Sequence, residues 1–228
     1  MNLLVRSAAE LVGSAGLLMV VIGSGIMGES LSAGNDAVAL LANALATGCG
    51  LYVLILTLGP ISGAHFNPAV TLAFAITDRS TKVADNLAYV AAQVVGAILG
   101  VWAAHLMFDL SVLQWSANVR DGSSLLFSEM IATMGLLGTI FLTLRTSASQ
   151  VAPAVGCYIT AAYWFTASTS FANPAVTLAR TFSDTFAGIR TSDMPLFITV
   201  QLATALIFSA GVLFWRRTQN GIKHNSSG

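Results

Sequence analysis

Six stretches of the chain are apolar over lengths that reach or approach a membrane span. They run over residues 8–28, 38–60, 84–107, 125–144, 152–170 and 195–215. About 20 apolar residues in a helix cross the hydrocarbon core of a bilayer, so the pattern predicts six transmembrane helices. Two further apolar stretches, 67–77 and 173–182, are too short to cross, and each opens on Asn-Pro. Asn caps a helix start and Pro is favoured at the first helical position. Short apolar helices opened in this way read as re-entrant half-helices that enter and leave by the same face. The predicted class is an all-α membrane protein with six spans and two re-entrant half-helices.

The chain repeats itself. Asn67-Pro68-Ala69-Val70-Thr71-Leu72-Ala73 returns unchanged as Asn173-Pro174-Ala175-Val176-Thr177-Leu178-Ala179, 106 residues later. Glu10 in the first span is matched by Glu129 in the fourth, and Gln93 in the third by Gln201 in the sixth. Each half therefore holds an odd number of spans, three, and the second copy must be inverted relative to the first. Inverted repeats bring their broken helices, and the solute site, to the bilayer midplane. The expected organisation is a first repeat over 1–110, with its half-helix at 67–77. An outer connecting loop follows over 111–124. The inverted repeat covers 125–215, with its half-helix at 173–182, and a polar tail covers 216–228.

Composition agrees with a membrane setting. Hydrophobic residues make up 55% of the chain and charged residues only 9%. Soluble domains carry about 25% charged residues, so this chain cannot clothe a water-facing surface of its size. The net charge of zero gives no reason to expect nucleic acid. Placing the amino terminus inside puts seven basic residues on the cytoplasmic side: Arg6, Arg79, Lys82, Arg145, Arg216, Arg217 and Lys223. Arg120, Arg180 and Arg190 fall outside. The excess predicts both termini cytoplasmic, in a cell (plasma) membrane. The tail from Gly221 reads as disordered. The first apolar run is too long for a signal-peptide core and is taken as a span. Cys49 and Cys157 sit in apolar runs and read as small buried residues, and His105 as interfacial. No cluster of His, Cys and carboxylates has metal-ligand spacing, and no nucleophile elbow or phosphate loop is present, so neither an enzyme, a metal nor a cofactor is expected.

The chemistry that remains is that of Asn-Pro-Ala. Inversion aims two helix starts at one point, and each carries about half a positive charge. Two such ends in a narrow passage repel cations, while Asn amides facing the passage offer donors to the oxygen of a neutral solute. Gln93 and Gln201 are placed to hydrogen-bond between helices. Glu10 and Glu129, ionisable and inside spans, are rare enough to need a role.

The run Ile61-Ser62-Gly63-Ala64-His65-Phe66-Asn67-Pro68-Ala69-Val70-Thr71 and its partial return resemble the major intrinsic protein family, the aquaporins and glycerol facilitators. The resemblance extends from Glu10 to about Trp215. It implies a right-handed bundle, a pore in each subunit of a homotetramer, Glu10 and Glu129 supporting the backbone carbonyls of the re-entrant loops through hydrogen bonds, and His65 by the cytoplasmic pore mouth. It also places a four-residue filter toward the outer mouth, whose last member is usually an Arg directly after the second motif. Here that position is Val176. Counting back from Asn67 puts the span-2 member at Thr47, the span-5 member falls at about Ala161, and Ser170 is the remaining loop member. A filter of Thr47, Ala161, Ser170 and Val176 is small and uncharged, and so wide. It predicts passage of water and of larger neutral solutes such as glycerol-like polyols. The residues after Val176, from Thr177 to Ile189, resemble a bacterial subgroup associated with arsenic resistance, which implies undissociated arsenite or methylated arsenicals as further solutes. Two other readings fit the same residues: a water-selective channel with an atypical filter, and a structural membrane protein with a closed pore. Arg180 lies one turn beyond Val176. It either brings a displaced charge to the pore, or pairs with Asp184 or faces another element.

Overall fold

A computed structural model of the chain describes residues 1–78 and 80–225, with side chains through Gln219. Arg79, the side chain of Lys223 and residues 226–228 lie outside the described residues.

Eight α-helices form most of the described chain: α1 (Leu3–Leu31), α2 (Asp36–Ser62), α3 (Pro68–Thr77), α4 (Val83–Met107), α5 (Ser123–Thr146), α6 (Val151–Phe165), α7 (Pro174–Ala179) and α8 (Met194–Asn225). Their ends follow from local chemistry. The Asn2 side chain accepts the Val5 N–H and opens α1, and Asn35 does the same for Ala37 and Val38 at α2. α2 ends on Gly63, whose φ of 89° suits a residue without a Cβ.

Three expectations change. Five helices (α1, α2, α4, α5 and α8) are by themselves long and apolar enough to cross a membrane, and the sixth predicted crossing is made by the shorter α6. The fifth predicted span, 152–170, is helical only through Phe165, after a 3₁₀ turn at Ala148–Gln150. Residues 166–172 leave the helix and descend toward the second motif in irregular backbone. The second half-helix is α-helical only over Pro174–Ala179 and tightens into a 3₁₀ turn at Arg180–Phe182. The tail expected to be disordered from Gly221 continues α8 to Asn225.

The packing has the two-fold relation of an inverted repeat. α1 packs on α2 and α4, as α5 packs on α6 and α8. Half-helix α3 lies against α8 of the other half, and α7 against α4. α2 meets α6, and α3 meets α7, across the relation itself. Lipid is as apolar as a leucine side chain, so helices in a bilayer associate through close packing rather than through burial from water. The crossings show this. A Cβ at Gly96 would lie 2.2 Å from the Leu11 carbonyl oxygen, and one at Gly100 would lie 2.3 Å from that of Ala15. At the α2–α6 crossing a Cβ on either Gly48 or Gly156 would come within 2.7 Å of the other's carbonyl oxygen.

Both termini lie on one side. Arg6 pairs with Asp85 at the start of α4 at 2.5 Å, and Arg216 near the end of α8 donates to the Thr77 carbonyl at 2.7 Å. Thr77 ends α3 and Asp85 lies in the first turn of α4, so both contacts sit where α3 gives way to α4. The opposite face is covered by the connections 108–122 and 183–193, bound to each other. Asn118 Nδ2 donates to the Thr185 carbonyl at 2.6 Å, and Asp184 accepts the Ala117 N–H at 2.8 Å. Asp193 accepts the Arg120 N–H at 2.8 Å and pairs with Arg190 at 2.7 Å. Partial burial alone would raise the Asp193 carboxyl, but the Arg190 and Arg120 hydrogen bonds outweigh it and hold it below the usual carboxylate range. His105 is fully buried at this face rather than interfacial, with Nε2 2.9 Å from Ser183 Oγ. Cys49 and Cys157 are exposed on the outside of the bundle, not buried. Each directly follows a glycine of the α2–α6 crossing, and a step of about 100° around the helix turns it away from the contact.

Candidate functional site

The two motifs meet tip to tip. The Asn67 side chain caps α3 through the Ala69 N–H at 2.8 Å, and Asn173 caps α7 through the Ala175 N–H at 3.0 Å. With the carboxamide oxygens so occupied, each Nδ2 points across the midplane. Asn67 Nδ2 donates to the Ala172 carbonyl and Asn173 Nδ2 to the Phe66 carbonyl, both at 2.7 Å. The amides are therefore not wholly free for solutes: one N–H of each ties the two loops together and one remains. Pro68, Ala69, Pro174 and Ala175 are buried at the contact, Ala69 and Ala175 at 1% exposure or less, and there a larger side chain would push the helix ends apart.

Each loop is held by a buried carboxylate, and the two arrangements match residue for residue. Glu10 accepts the N–H groups of His65 and Phe66 at 3.0 and 2.7 Å, Glu129 those of Phe171 and Ala172 at 2.9 and 2.8 Å. Gln93 Nε2 donates to Glu10 at 2.7 Å and Gln201 Nε2 to Glu129 at 2.6 Å. The same two amides reach Thr71 and Thr177 Oγ1 at 3.0 and 2.9 Å, and those hydroxyls donate to the carbonyls of Asn67 and Asn173. The carboxylates thus receive N–H groups, where carbonyl support was anticipated. Peptide planarity then fixes the other side of the loop. An N–H aimed at Glu10 sends the preceding carbonyls, those of Ala64 and His65, the opposite way, and Glu129 does the same to Ser170 and Phe171. Ala64 and Ser170 (φ 50° and 52°), and Phe66 and Ala172 (φ 46° and 47°), are all left-handed. Each such residue costs about 1–3 kcal/mol, which the carboxylate hydrogen bonds offset.

Beside these loops runs a cavity of about 530 Å³, from Ala148 and Ser149 at the terminal face past Asn67 and Asn173 to Arg180 near the opposite face. Thr47, Ser170 and Val176 are on its wall, each at most 5% exposed. The Ser170 hydroxyl oxygen has no hydrogen-bond partner among the described residues and is sealed from open space. Ala161 is a correction: it is exposed on the outside of α6 and is absent from the wall. The cavity-facing α6 residues on either side of Ala161 are Ile159 and Tyr163, with Val151, Ala152 and Val155 lining the cavity nearer the terminal face, and Tyr163 Oη lies 3.4 Å from Thr47 Oγ1. The predicted span ran to residue 170, whereas the helix stops at Phe165. The irregular stretch after Phe165 advances farther per residue than a helix and shifts the register.

His65 lines the terminal half of the cavity. Its ring stacks on Phe74 at 4.8 Å, its Nδ1 is 3.1 Å from Thr71 Oγ1, and Phe74 stacks on Phe141. The positions 106 residues on repeat that stack with different chemistry: the Arg180 guanidinium lies 3.4 Å from the centroid of the Phe171 ring. Arg180 is 2% exposed, and its Nε donates to the Ala187 carbonyl. It does not pair with Asp184, which is held by Ala117. Phe171 and Tyr163 were missed in the sequence. Aligning the two halves exposes Phe171 as the equivalent of His65, while nothing local marks Tyr163.

An Asn173→Ala substitution removes a helix cap and one of the two cross-links. Such a change costs about 1–2 kcal/mol. A lowered melting temperature in detergent, with Asn173→Asp intermediate because it keeps the cap and loses the donor, is the expected result.

A family profile described as "Major intrinsic protein" matches residues 2–149. The chain is 54% identical over 201 residues to the aquaglyceroporin AqpS of Rhizobium meliloti (strain 1021), covering 88% of this chain and 85% of that protein. It is 36% identical over 137 residues to nodulin-26 of Glycine max, covering 59% of this chain and 49% of that protein. Its fold is similar to the X-ray structure of the aquaglyceroporin from Plasmodium falciparum, with a TM-score of 0.72 at 18% identity over 92% of this chain and 95% of that one. Matched loops around paired Asn-Pro-Ala helix starts, a cavity beside them and these likenesses lead to one statement: the chain belongs to the major intrinsic protein family.

Proposed function

We infer that this member of the family is a passive channel for water and small neutral solutes of polyol size. The observation that carries the reading is the amphipathic wall of the cavity beyond the two Asn residues. The Thr47 and Tyr163 hydroxyls and the turned-out carbonyls of Ser170 and Phe171 stand on the same wall as the apolar side chains of Val176 and Ile159. A polyol carries hydroxyls along one edge and C–H groups along the other, and such a wall replaces its hydration on one side while excluding water on the other. Val176 in place of a cation leaves the passage wider than an Arg would. The name of the Rhizobium meliloti relative, aquaglyceroporin, supports the same solute class. Undissociated arsenous acid is a neutral centre bearing three hydroxyls and meets the same requirements.

The setting we propose is the cell (inner) membrane, with the termini in the cytoplasm and the chain assembled as a homotetramer. The basic residues Arg6, Lys82, Arg145 and Arg216 on the terminal face support that orientation. Exposed apolar residues along the spans, among them Val53, Leu56 and Phe214, support cover by lipid or by neighbouring copies. The channel works without a cofactor, and its partners are the solutes and the bilayer.

Proteoliposome swelling tests this reading, with Val176→Arg as the diagnostic variant. Glycerol and arsenous acid permeabilities are expected to fall about tenfold or more in the variant, while water permeability falls by less than about threefold. Wild-type vesicles that pass water but no glycerol would return the water-selective reading, and vesicles that pass neither would return the closed one.

A further inference from the structure

We propose that Arg180 is a specificity-determining residue of this channel, supplying from one helical turn beyond Val176 the fixed positive charge that excludes cations from the far end of the passage. The proposal rests on the channel reading and deepens it.

The geometry is that of a cation presented to a passage rather than one buried in a wall. Arg180 is on the cavity surface although only 2% of it is exposed. Its Nε is taken by the Ala187 carbonyl. Neither terminal nitrogen has an acceptor among the described residues, and neither is sealed from open space, so their N–H groups face the cavity. No carboxylate lies within ion-pair distance: the ion pairs among the described residues are Arg6–Asp85 and Arg190–Asp193. The nearest candidate in sequence, Asp184, is bound to the Ala117 N–H.

Two features hold the guanidinium there. One is the Phe171 ring beneath it, which rests in turn on Phe197 at 5.4 Å. A cation over an aromatic face is stabilised more strongly where water is excluded. The other is the inverted repeat, in which the ring at 65 carries Phe74 in the same way that the ring at 171 carries Arg180. The position is therefore a fixed place on the cavity wall in both halves, aromatic in one and cationic in the other. Arg120 reinforces the charge. Its guanidinium lies 5.0 Å from the same ring, and its Nε donates to the Gly188 carbonyl at 2.8 Å.

The arrangement also answers a need. α7 has only six residues, so few peptide dipoles sum at its start, and Val176 offers no charge. An unpaired guanidinium in a narrow, low-dielectric passage repels hydronium and metal cations and leaves neutral oxygen acceptors free to bind its N–H groups. The passage then reads solutes in two successive steps, an apolar wall at Val176 and a cationic one at Arg180, and prefers neutral molecules with an accessible oxygen.

The test uses the full-length channel in proteoliposomes, comparing Arg180→Gln, Arg180→Ala and Arg190→Gln with the wild type. Arg180→Gln keeps most of the side chain's length and a donor but removes the charge. Arg190, paired with Asp193 on the same face, serves as the charge-loss control. Proton flux under an imposed pH gradient and water flux under an osmotic step are read on the same vesicles. The ratio of proton to water permeability is expected to rise at least about tenfold in both Arg180 variants and to stay within about twofold in Arg190→Gln. An unchanged ratio in Arg180→Gln, with wild-type vesicles conducting water normally, overturns the assignment and leaves the channel reading intact. A rise of equal size in Arg190→Gln also overturns it, by making the effect one of general surface charge. Wild-type vesicles no more permeable than empty ones overturn the channel reading instead.

Discussion

Glu129→Leu is expected to destabilise the folded channel severely and to abolish solute flux. Three donors converge on that carboxylate: the N–H groups of Phe171 and Ala172 and the amide of Gln201. All are buried, and the leucine offers none of them an acceptor. An unsatisfied buried donor costs about 1–3 kcal/mol, and a broken buried polar network about 3–5 kcal/mol in total. Typical folds have only about 5–15 kcal/mol in hand. The loss also frees Ser170 and Ala172 from the contacts that hold them in left-handed backbone. Melting followed by circular dichroism in detergent should fall by about 10 °C or more, and solute flux should vanish with it. Glu129→Gln should be milder, since its amide oxygen still accepts one N–H. A leucine variant that melts with the wild type would mean that the loop is held by something other than Glu129.

The second large effect is steric. Gly100→Leu places a side chain where a Cβ alone would be 2.3 Å from the Ala15 carbonyl oxygen and 2.9 Å from its carbon. Those are backbone atoms of α1, which cannot turn aside as a rotamer can. The helices must separate, and overpacking of this kind costs about 1–3 kcal/mol before the lost α1–α4 contacts are added. Even Gly100→Ala should destabilise measurably. Gly138→Ala is the matched control: its Cβ would meet nothing within 4 Å, and alanine is the better helix former by about 1 kcal/mol. The two alanine variants should therefore move the melting temperature in opposite directions.

The spans and the motif contact were legible because they depend on properties that sequence shows directly. Apolar length sets a span, Asn-Pro sets a helix start, and a perfect heptapeptide at half the chain length sets the inversion. The inverted relation was also enough to pair Glu10 with Glu129 and Gln93 with Gln201. The filter was less legible because it depends on where a helix stops. No proline or glycine follows Phe165 to announce the end of α6, so the count drifted from the cavity-facing Ile159 and Tyr163 to the outward Ala161. The two cysteines and His105 failed for a related reason. Apolar sequence around a residue does not say whether it faces lipid or protein, and in a membrane helix both are apolar. The Phe171–Arg180 stack was available from the repeat, since its equivalents are His65 and Phe74, but only when side-chain contact, rather than residue identity, is compared between the halves.

The crossed amides of Asn67 and Asn173 have a consequence for biogenesis. Asn67 finds its acceptor at Ala172, more than a hundred residues further on. During synthesis the amino-terminal half therefore enters the bilayer with its re-entrant segment lacking that partner. Completion must wait until the ribosome has released the carboxy-terminal half far enough for α7 to dip inward. Severing the chain between α4 and α5 and expressing the pieces together should then still yield a channel, whereas either piece alone should be left for the cell's proteases.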